Sequence, residues 1–283
     1  MAIPLTCDHI YSVELIDMNA ETERKKVGLA LGGGAGRGFA HIGVLDEFVK
    51  AGIPIDCICG CSMGAFIGSI FAAGTDLSML ARLSIELTDK DFFDITLPRS
   101  GLIRGERFRQ LSRLLTKDKC FEELEIPFSC VACDLSAVKT VVLNQGKVYD
   151  AVRASISMPG IFQPHFIDGV LYVDGGVLDV VPIQQTRDMG ADYVIAVDVS
   201  SPCLPREVKP KVFDILMRAY DMVGYYYKQT KIYAGDILLQ PKLDEINPYS
   251  NSDAEEAIAS GREAARTAIP KILEDLRGLG VIG

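Results

Sequence analysis

Short apolar runs alternate with amphipathic segments over most of this chain. Val27 to Leu31 is a continuous apolar run, and Ile55 to Cys59 is apolar apart from Asp56; both are short, as expected of strands buried on both faces. Between them, Phe39 to Ala51 repeats apolar residues at helical spacing, and Gly52 and Pro54 close that helix. A further apolar helix follows the second strand. The pattern predicts a β-α-β-α unit with parallel strands and a right-handed crossover.

The same alternation continues to the end of the chain. Two apolar runs flank Asp168-Gly169, a dipeptide typical of a type I′ hairpin turn. A capping box, Ser252 to Glu255, predicts the start of a terminal helix that ends near Leu276. The other predicted helices are Leu77 to Thr88, Glu106 to Leu115, Val148 to Ser155 and Lys211 to Tyr233, and the other predicted strands are Phe128 to Cys133, Thr140 to Leu143, Tyr193 to Val199 and Ile237 to Gln240.

Three segments need a separate interpretation. The apolar residues of Lys211 to Tyr233 recur at helical spacing, so we expect their stripe to face the core. Asp89 to Gly105 could form a lid or an acyl-pocket wall, or tuck its aromatic residues into the core. Residues 1–26 are a predicted N-terminal extension in which Ile10 to Met18 could add a strand. Residues 27–283 are predicted to be a single domain, because they contain no repeat or linker.

The composition restricts the class of function. A hydrophobic content of 48% excludes disorder, and a net charge of −9 disfavours binding to nucleic acid or to anionic membranes. Charges interrupt every apolar run before it reaches the length of a membrane span, and the N-terminus lacks the features of a secretory signal. Eight cysteines without disulfide-scaffold spacing suggest a reducing compartment. We expect a cytoplasmic protein, with any lipid substrate reached through apolar contact or delivered as monomers.

A G-x-S-x-G pattern at Gly60 to Gly64 joins the second strand to the next helix. This context is that of a nucleophile elbow, with Ser62 at its apex and Gly60 and Gly64 where side chains would collide. The helix that follows would direct its free N-terminal N–H groups toward an oxyanion. The alternative is a serine that only caps the helix after a tight turn.

A glycine-rich loop, Gly32 to Gly38, follows the first strand. Its glycines do not have the G-x-G-x-x-G spacing of a dinucleotide site, and the Gly-Lys-Ser/Thr of a Walker A loop is absent. Adjacent glycines can instead direct several backbone N–H groups to one point, which would form an oxyanion site beside the elbow. The alternative is a loop whose glycines serve only tight packing.

The serine needs a base, and two candidates stay open on the residues alone. His165 is the only histidine after Ser62, and it could act with Asp134 or Asp150 in the order of the α/β-hydrolases. Asp174 begins an Asp-Gly-Gly at a strand end and could accept the proton directly if it is poorly hydrated. Asp-Gly-Gly is also a common turn, and we assign Asp168 to the hairpin.

Three cysteines, Cys57, Cys59 and Cys61, lie on one face of the predicted second strand. A metal site is conceivable, but a parallel strand offers little room for three thiolates to converge on one ion. Small buried packing residues are the preferred interpretation. We expect neither a metal nor a cofactor.

Four sequence blocks in this order resemble a bacterial patatin-like phospholipase. They are G-G-G-A-G-R-G (32–38), G-C-S-M-G (60–64), A-S-I-S-M-P-G-I-F-Q-P (154–164) and D-G-G (174–176), where some members end in Ala. The resemblance extends from about Lys26 to Ser200. It implies a three-layer α/β/α sandwich with a mainly parallel central sheet, and a 27–283 catalytic domain without a cofactor.

The resemblance also implies roles for individual residues. Ser62 would be the nucleophile and Asp174 the base, without histidine. The oxyanion hole would use Gly32, Gly33, Gly34, Ala35, Gly36, Arg37 and Met63, and motif support would come from Gly60, Gly64, Gly175 and Gly176. The family hydrolyses acyl esters of phospholipids, lysophospholipids and neutral lipids, so the implied partners are a lipid and, transiently, a membrane surface. A histidine-dependent esterase and a non-enzymatic acyl-lipid binding module are the alternatives.

Overall fold

The parallel β-α-β-α unit predicted for the first third of the chain is present in the computed structural model. The structure describes residues 24–92, 94, 100–200, 207–208, 211–230 and 235–283. Its strands are β1 (Val27–Leu31), β2 (Cys57–Cys61), β3 (Gly101–Ile103), β4 (Phe128–Asp134), β5 (Lys139–Leu143), β6 (Gly160–Phe162), β7 (His165–Ile167), β8 (Val170–Asp174), β9 (Tyr193–Val197) and β10 (Ile237–Leu239). Its α-helices are α1 (Ala40–Lys50), α2 (Met63–Ala72), α3 (Leu77–Glu86), α4 (Asp89–Phe92), α5 (Glu106–Leu115), α6 (Val148–Ser155), α7 (Ile183–Asp188), α8 (Val212–Thr230) and α9 (Ala254–Gly278).

Eight of the described strands form one sheet. The order along its main path is β10-β9-β1-β2-β4-β8-β7, and β5 also pairs with β4. The pairings from β10 to β4 are parallel, whereas β5, β8 and β7 run antiparallel to their neighbours. The central sheet is therefore mainly parallel, as predicted.

Alternate residues of β1 face two different helical layers. Leu29 and Leu31 join the larger apolar core, to which α1, α2 and α9 also contribute. Ala30 joins a smaller cluster that includes Ile183 of α7. Because side chains alternate between the two faces of a strand, the sheet lies between two layers of helices. This arrangement confirms the predicted α/β/α sandwich.

The hairpin predicted at Asp168-Gly169 joins β7 to β8 with both turn residues at positive φ, 50° and 81°. The predicted terminal helix is also present, but the prediction that a capping box at Ser252 to Glu255 begins it is wrong. Asp253 precedes α9 without a side-chain capping bond, and its carboxylate accepts the N–H of Asn247 instead. The sequence pattern also gave no signal for the parallel ribbon formed by β3 and β6.

The long helix predicted near residue 220 is α8, but the prediction that its apolar stripe faces the core is wrong. Val212, Leu216 and Val223 expose 75%, 56% and 65% of their surface, whereas Met217 is buried. Another side of the helix faces inward, where Met217 joins the larger apolar core and Tyr220 lines a cavity that also contains Ser62. Periodicity shows that such faces exist, but not which one meets the core.

Two sequence predictions fall on parts of the chain that the structure does not describe or describes only in part. The possible strand Ile10 to Met18 lies outside the described residues. Within Asp89 to Gly105, the structure describes 89–92, 94 and 100–105; α4 and β3 lie there, and Phe92 is buried. A lid role for this segment stays a prediction. Among the described helices, none combines the length and apolar character needed to cross a membrane.

Candidate active site

Ser62 stands at a sharp turn between β2 and α2. Its backbone has φ 51° and ψ −120°, in a region that side-chain-bearing residues rarely adopt. A Cβ atom on Gly60 would lie 2.5 Å from Ala65 Cα, and one on Gly64 would lie 2.2 Å from the Leu31 carbonyl oxygen. Glycine is therefore required on both sides of the serine by close packing. The local geometry is that of a nucleophile elbow.

Strand β4 brings Asp174 to this turn. Its consecutive residues Val131 and Ala132 are partnered by Cys61 of β2 and Asp174 of β8. The residue after Cys61 is Ser62, so the serine and the aspartate meet beside the same point of β4. Ser62 Oγ donates a 2.6 Å hydrogen bond to Asp174 Oδ2.

The Asp174 carboxylate is enclosed, with only 1% of the residue exposed. Its second oxygen, Oδ1, accepts the N–H of Gly176 at 2.7 Å. Burial raises the pKa of Asp174 from 3.8 to about 6, although the hydrogen bonds from Ser62 and Gly176 favour the ionised form. A Cβ atom on Gly175 would lie 2.5 Å from the Val131 carbonyl oxygen, which explains the glycine there. The result is a carboxylate that is largely ionised at about pH 7 and accepts a proton more readily than an exposed one.

Several amides of the glycine loop are already used for anchoring. The N–H groups of Gly32 and Gly33 donate to the carbonyl oxygens of Val197 and Val180, each at 2.9 Å. They hold the loop against the end of β9 and the segment before α7. Gly36 donates to Pro248 at 2.9 Å, and Arg37 donates to Gly34 at 3.2 Å. Each of these four amides has a carbonyl acceptor in the structure, so a role for them in an oxyanion site stays a prediction.

Three amides near Ser62 remain available. Among the described residues, no hydrogen-bond acceptor is found for the N–H groups of Gly34, Ala35 and Met63. Met63 is the first residue of α2, where N–H groups have no partner within the helix. The loop lies close to the serine, since a Cβ atom on Gly33 would be 3.2 Å from Ser62 Cβ. These three predicted donors are therefore free to face an oxyanion at Ser62.

Two cavities meet at Ser62. The larger has a volume of about 420 Å³ and contains Asp174 together with charged and tyrosine side chains, among them Arg218 and Tyr220. The smaller, of about 220 Å³, is lined mainly by apolar and aromatic side chains, including Phe108 and Phe162. The residues common to both are Ala35, Ser62, Met158, Pro248 and Tyr249. The serine hydroxyl therefore stands between a polar and an apolar compartment.

The histidines of the described chain lie away from the serine hydroxyl. His165 Nε2 is 3.4 Å from Asp150 Oδ1, and neither residue lines a cavity that contains Ser62. His41 is fully buried, its Nε2 lies 2.8 Å from the Gly32 carbonyl oxygen, and burial lowers its pKa to about 4. His9 is outside the described residues. Of the two candidate bases, the structure brings Asp174 to Ser62.

The three cysteines of β2 are free and buried. Burial raises the pKa of Cys57 to about 11 and that of Cys59 to about 12, and it also raises the pKa of Cys61 well above its usual value. These thiols stay protonated and act as small packing residues. Within the described residues, no group of three or more His, Cys, Asp or Glu side chains is arranged to hold a metal ion.

Ser155 belongs to the site, although the sequence analysis assigns it no role. Its Oγ accepts the backbone N–H of Ser62 at 2.9 Å and donates to the Val131 carbonyl oxygen at 2.7 Å. The hydroxyl thus ties the strained elbow to β4. Ser155 lies in the block 154–164 that carries the family resemblance, and this place in the sequence could have marked it as a site residue. The block alone does not show what the hydroxyl contacts.

The chain is similar in sequence to a known protein family and to curated proteins. A family model described as patatin-like phospholipase matches residues 29–187, more than half of the 283-residue chain. An uncharacterized NTE family protein of Mycobacterium tuberculosis is 38% identical over 192 residues, which cover 66% of this chain and 53% of the relative. The chain therefore spans about half the length of that relative.

Similarity also extends beyond bacterial proteins and to a solved structure. Patatin-like phospholipase domain-containing protein 7 of Rattus norvegicus is 35% identical over 183 residues, which cover 62% of this chain and 14% of the relative. The crystal structure of VipD from Legionella pneumophila superposes with a TM-score of 0.60 at 13% identity, covering 88% of this chain and 67% of that chain. The likeness to VipD concerns the fold alone.

Proposed function

The chain belongs to the patatin-like phospholipase family, and from that premise we propose that it is a serine hydrolase of lipid acyl esters. Its substrates would be of the phospholipid, lysophospholipid or neutral-lipid type. Ser62 is the nucleophile and Asp174 is the base. The observation that carries this proposal is the 2.6 Å hydrogen bond between Ser62 Oγ and a carboxylate that is almost completely buried.

The first half of the proposed reaction acylates the serine. Asp174 takes the Ser62 proton while Oγ attacks the ester carbonyl carbon, and the carbonyl oxygen becomes an oxyanion. The amides of Gly34, Ala35 and Met63 stabilise that charge; one such donor is worth about 3–4 kcal/mol in the transition state. When the tetrahedral intermediate collapses, the bond to the alcohol breaks and protonated Asp174 gives its proton to the leaving oxygen.

The second half releases the fatty acid. A water molecule gives one proton to Asp174 as its oxygen attacks the acyl carbonyl carbon, and the same amides hold the second oxyanion. Collapse breaks the bond to Ser62 Oγ, which recovers a proton from Asp174. The enzyme returns to its starting state and has consumed one water molecule per ester.

The two cavities suggest how a lipid would lie. The smaller cavity is mainly apolar and aromatic, so it suits the acyl chain. The larger cavity contains charged and hydroxyl-bearing side chains, so it suits the alcohol part of the ester. Because the two meet at Ser62, a substrate bound in this way would present its carbonyl carbon to the nucleophile.

Labelling and hydrolysis together test the proposal. A fluorophosphonate probe should label wild-type protein and leave Ser62→Ala unlabelled, because only an activated serine reacts with it. The wild type, but not Ser62→Ala, should release fatty acid from p-nitrophenyl butyrate and from an extracted lipid mixture. Lipid binding without labelling or hydrolysis would instead identify a non-enzymatic acyl-lipid binding module.

A further inference from the structure

Helix α8 presents a continuous apolar stripe to solvent. Among its members, Val212, Val223 and Tyr226 expose 75%, 65% and 66% of their surface. Large contiguous apolar surfaces on soluble proteins usually mark a contact with another molecule or with a membrane. The stripe consists of Val212, Ile215, Leu216, Ala219, Met222, Val223 and Tyr226.

The opposite side of α8 belongs to the candidate active site. Tyr220 and Gly224 line the larger of the two cavities at Ser62. Tyr220 also reaches the segment that follows Asp174, because its hydroxyl oxygen would lie 3.1 Å from a Cβ atom on Gly176. One helix therefore forms a wall of the cavity with one side and an exposed apolar surface with another. Whatever covers the stripe lies next to the catalytic cavity.

The size and charge of the stripe favour a lipid surface over a second copy of the chain. A stable protein interface takes about 20–30 residues from each side, and the stripe offers seven. Among the described side chains of α8, Asp214 and Asp221 are acidic and Arg218 is basic. The net charge of the chain is −9. A helix that binds anionic membranes carries a basic polar face, which the described part of α8 lacks.

We propose that α8 docks on the surface of neutral or zwitterionic lipid, with the stripe inserted among the acyl chains. This inference rests on the proposed function, because an acyl-lipid substrate resides in such a surface. Docking would place the cavity beside the lipid from which the substrate leaves. Apolar contact drives the binding, so it should require neither anionic lipid nor low salt.

Vesicle sedimentation tests the inference with the full chain carrying Ser62→Ala, so that the lipid is not consumed. We expect it to sediment with phosphatidylcholine vesicles, equally well at high salt and no more tightly when phosphatidylglycerol is added. Adding Leu216→Glu and Val223→Glu to this chain should weaken its partitioning into the vesicles about tenfold or more. The matched control is Leu114→Glu, a leucine on α5 that is 72% exposed and lines neither cavity; it should bind like its parent.

Enzyme with an intact Ser62 separates docking from chemistry. The Leu216→Glu and Val223→Glu variant should hydrolyse soluble p-nitrophenyl butyrate at the wild-type rate, and lose activity only on vesicles. If the wild type does not hydrolyse the soluble ester, the proposed function fails while sedimentation still decides the role of α8. The inference would be overturned if the Leu216→Glu and Val223→Glu variant sediments with vesicles as well as its parent does. It would also be overturned if the parent does not bind phosphatidylcholine vesicles, or if its binding needs anionic lipid.

A photoreactive phenylalanine analogue in place of Val223 identifies the occupant directly. With vesicles present, illumination should attach lipid to the full chain. Cross-linking to a second copy, or to residues 1–23 of the same chain, would show that protein covers the stripe and would overturn the inference.

Discussion

The Ser62 hydroxyl and the Asp174 carboxylate are joined by a 2.6 Å hydrogen bond, although 112 positions separate them in the sequence. The contact depends on β4, which pairs with β2, the strand that ends one residue before Ser62, and with β8, the strand that ends at Asp174. The serine proton therefore has an acceptor in place before any substrate arrives. This geometry makes the aspartate, rather than an imidazole, the group whose removal should stop the reaction.

Removing either partner should abolish ester hydrolysis. We expect Ser62→Ala and Asp174→Asn to lower kcat by about a thousandfold or more, because each removes the nucleophile or its base. His165→Asn should retain most of the activity, since His165 contacts Asp150 and lines neither cavity. Steady-state hydrolysis of p-nitrophenyl butyrate measures all three. Loss of activity in His165→Asn with a normal thermal unfolding curve would favour a histidine-dependent esterase.

The pKa of Asp174 predicts the acid limb of the pH profile. Burial raises that pKa to about 6, and the base works only when ionised. The rate kcat/KM should therefore rise about tenfold per pH unit below about pH 6 and level off above it. A profile with an acid limb at the ordinary pKa of an exposed aspartate, about 3.9, would contradict this assignment.

The same shift predicts how stability depends on pH. A folded-state pKa above the unfolded value stabilises the fold below the unfolded pKa, and this contribution is lost as pH rises through the folded pKa. For Asp174 the loss falls between about pH 4 and pH 6 and amounts to about 3 kcal/mol. Asp174→Asn should thus be more stable than wild type above about pH 6, and the difference should shrink as pH falls. Denaturant unfolding at several pH values measures it.

Ser155 should support catalysis through the position of Ser62. Ser155→Ala leaves the Ser62 N–H and the Val131 carbonyl oxygen without their partner, which costs about 1–3 kcal/mol of stability. We also expect kcat to fall about tenfold with little change in KM, because a displaced elbow misaligns the attack. The matched control is Ser69→Ala on α2, a buried serine whose Oγ donates only to the Phe66 carbonyl oxygen. It should lose stability without a change in kcat.

Sequence reasoning reached those parts of the fold and site that local patterns determine. Ser62 was found because strand, turn and helix occur together around G-x-S-x-G, and the structure has that turn. Asp174 needed the resemblance, since Asp-Gly-Gly is common and its contact with Ser62 depends on the register of β4. The hairpin at Asp168 is predictable from Asp168-Gly169 and the apolar runs that flank it, because the turn type itself demands these two residues.

What sequence reasoning missed depends on partners far along the chain. Whether the amide of Gly32 faces a ligand or a carbonyl is decided by Val197, which accepts it from β9. Periodicity predicts that α8 has an apolar stripe, but it does not predict whether the core or solvent covers that stripe, which the structure leaves exposed. Ser155 acts through two backbone groups that belong to other elements. Such contacts follow from tertiary register, which a single sequence does not encode locally.

Phe108, which lines the smaller cavity, is predicted to limit the length of the acyl chain that the cavity accepts. Its ring packs against Phe66 and Phe162, with ring centroids 4.5 and 6.2 Å away. Phe108→Ala should open space beside the acyl site and shift the preference among p-nitrophenyl esters toward longer chains. Phe108→Leu should give an intermediate shift. Deleting a buried ring also lowers the free energy of unfolding by about 3–5 kcal/mol, so the stability of each variant must be measured together with its activity.

A matched variant separates this effect from destabilisation. Phe121 is also buried and stacks on Phe128 with centroids 5.9 Å apart, but it lines neither cavity at Ser62. Phe121→Ala should lower stability to a similar extent and leave the ratio of kcat/KM values between long and short esters unchanged. If both variants change that ratio equally, loosening of the fold explains it and Phe108 does not set chain length. A change confined to Phe108 would instead assign the acyl chain to the aromatic cavity, because only there does removing that ring create room for more methylene groups.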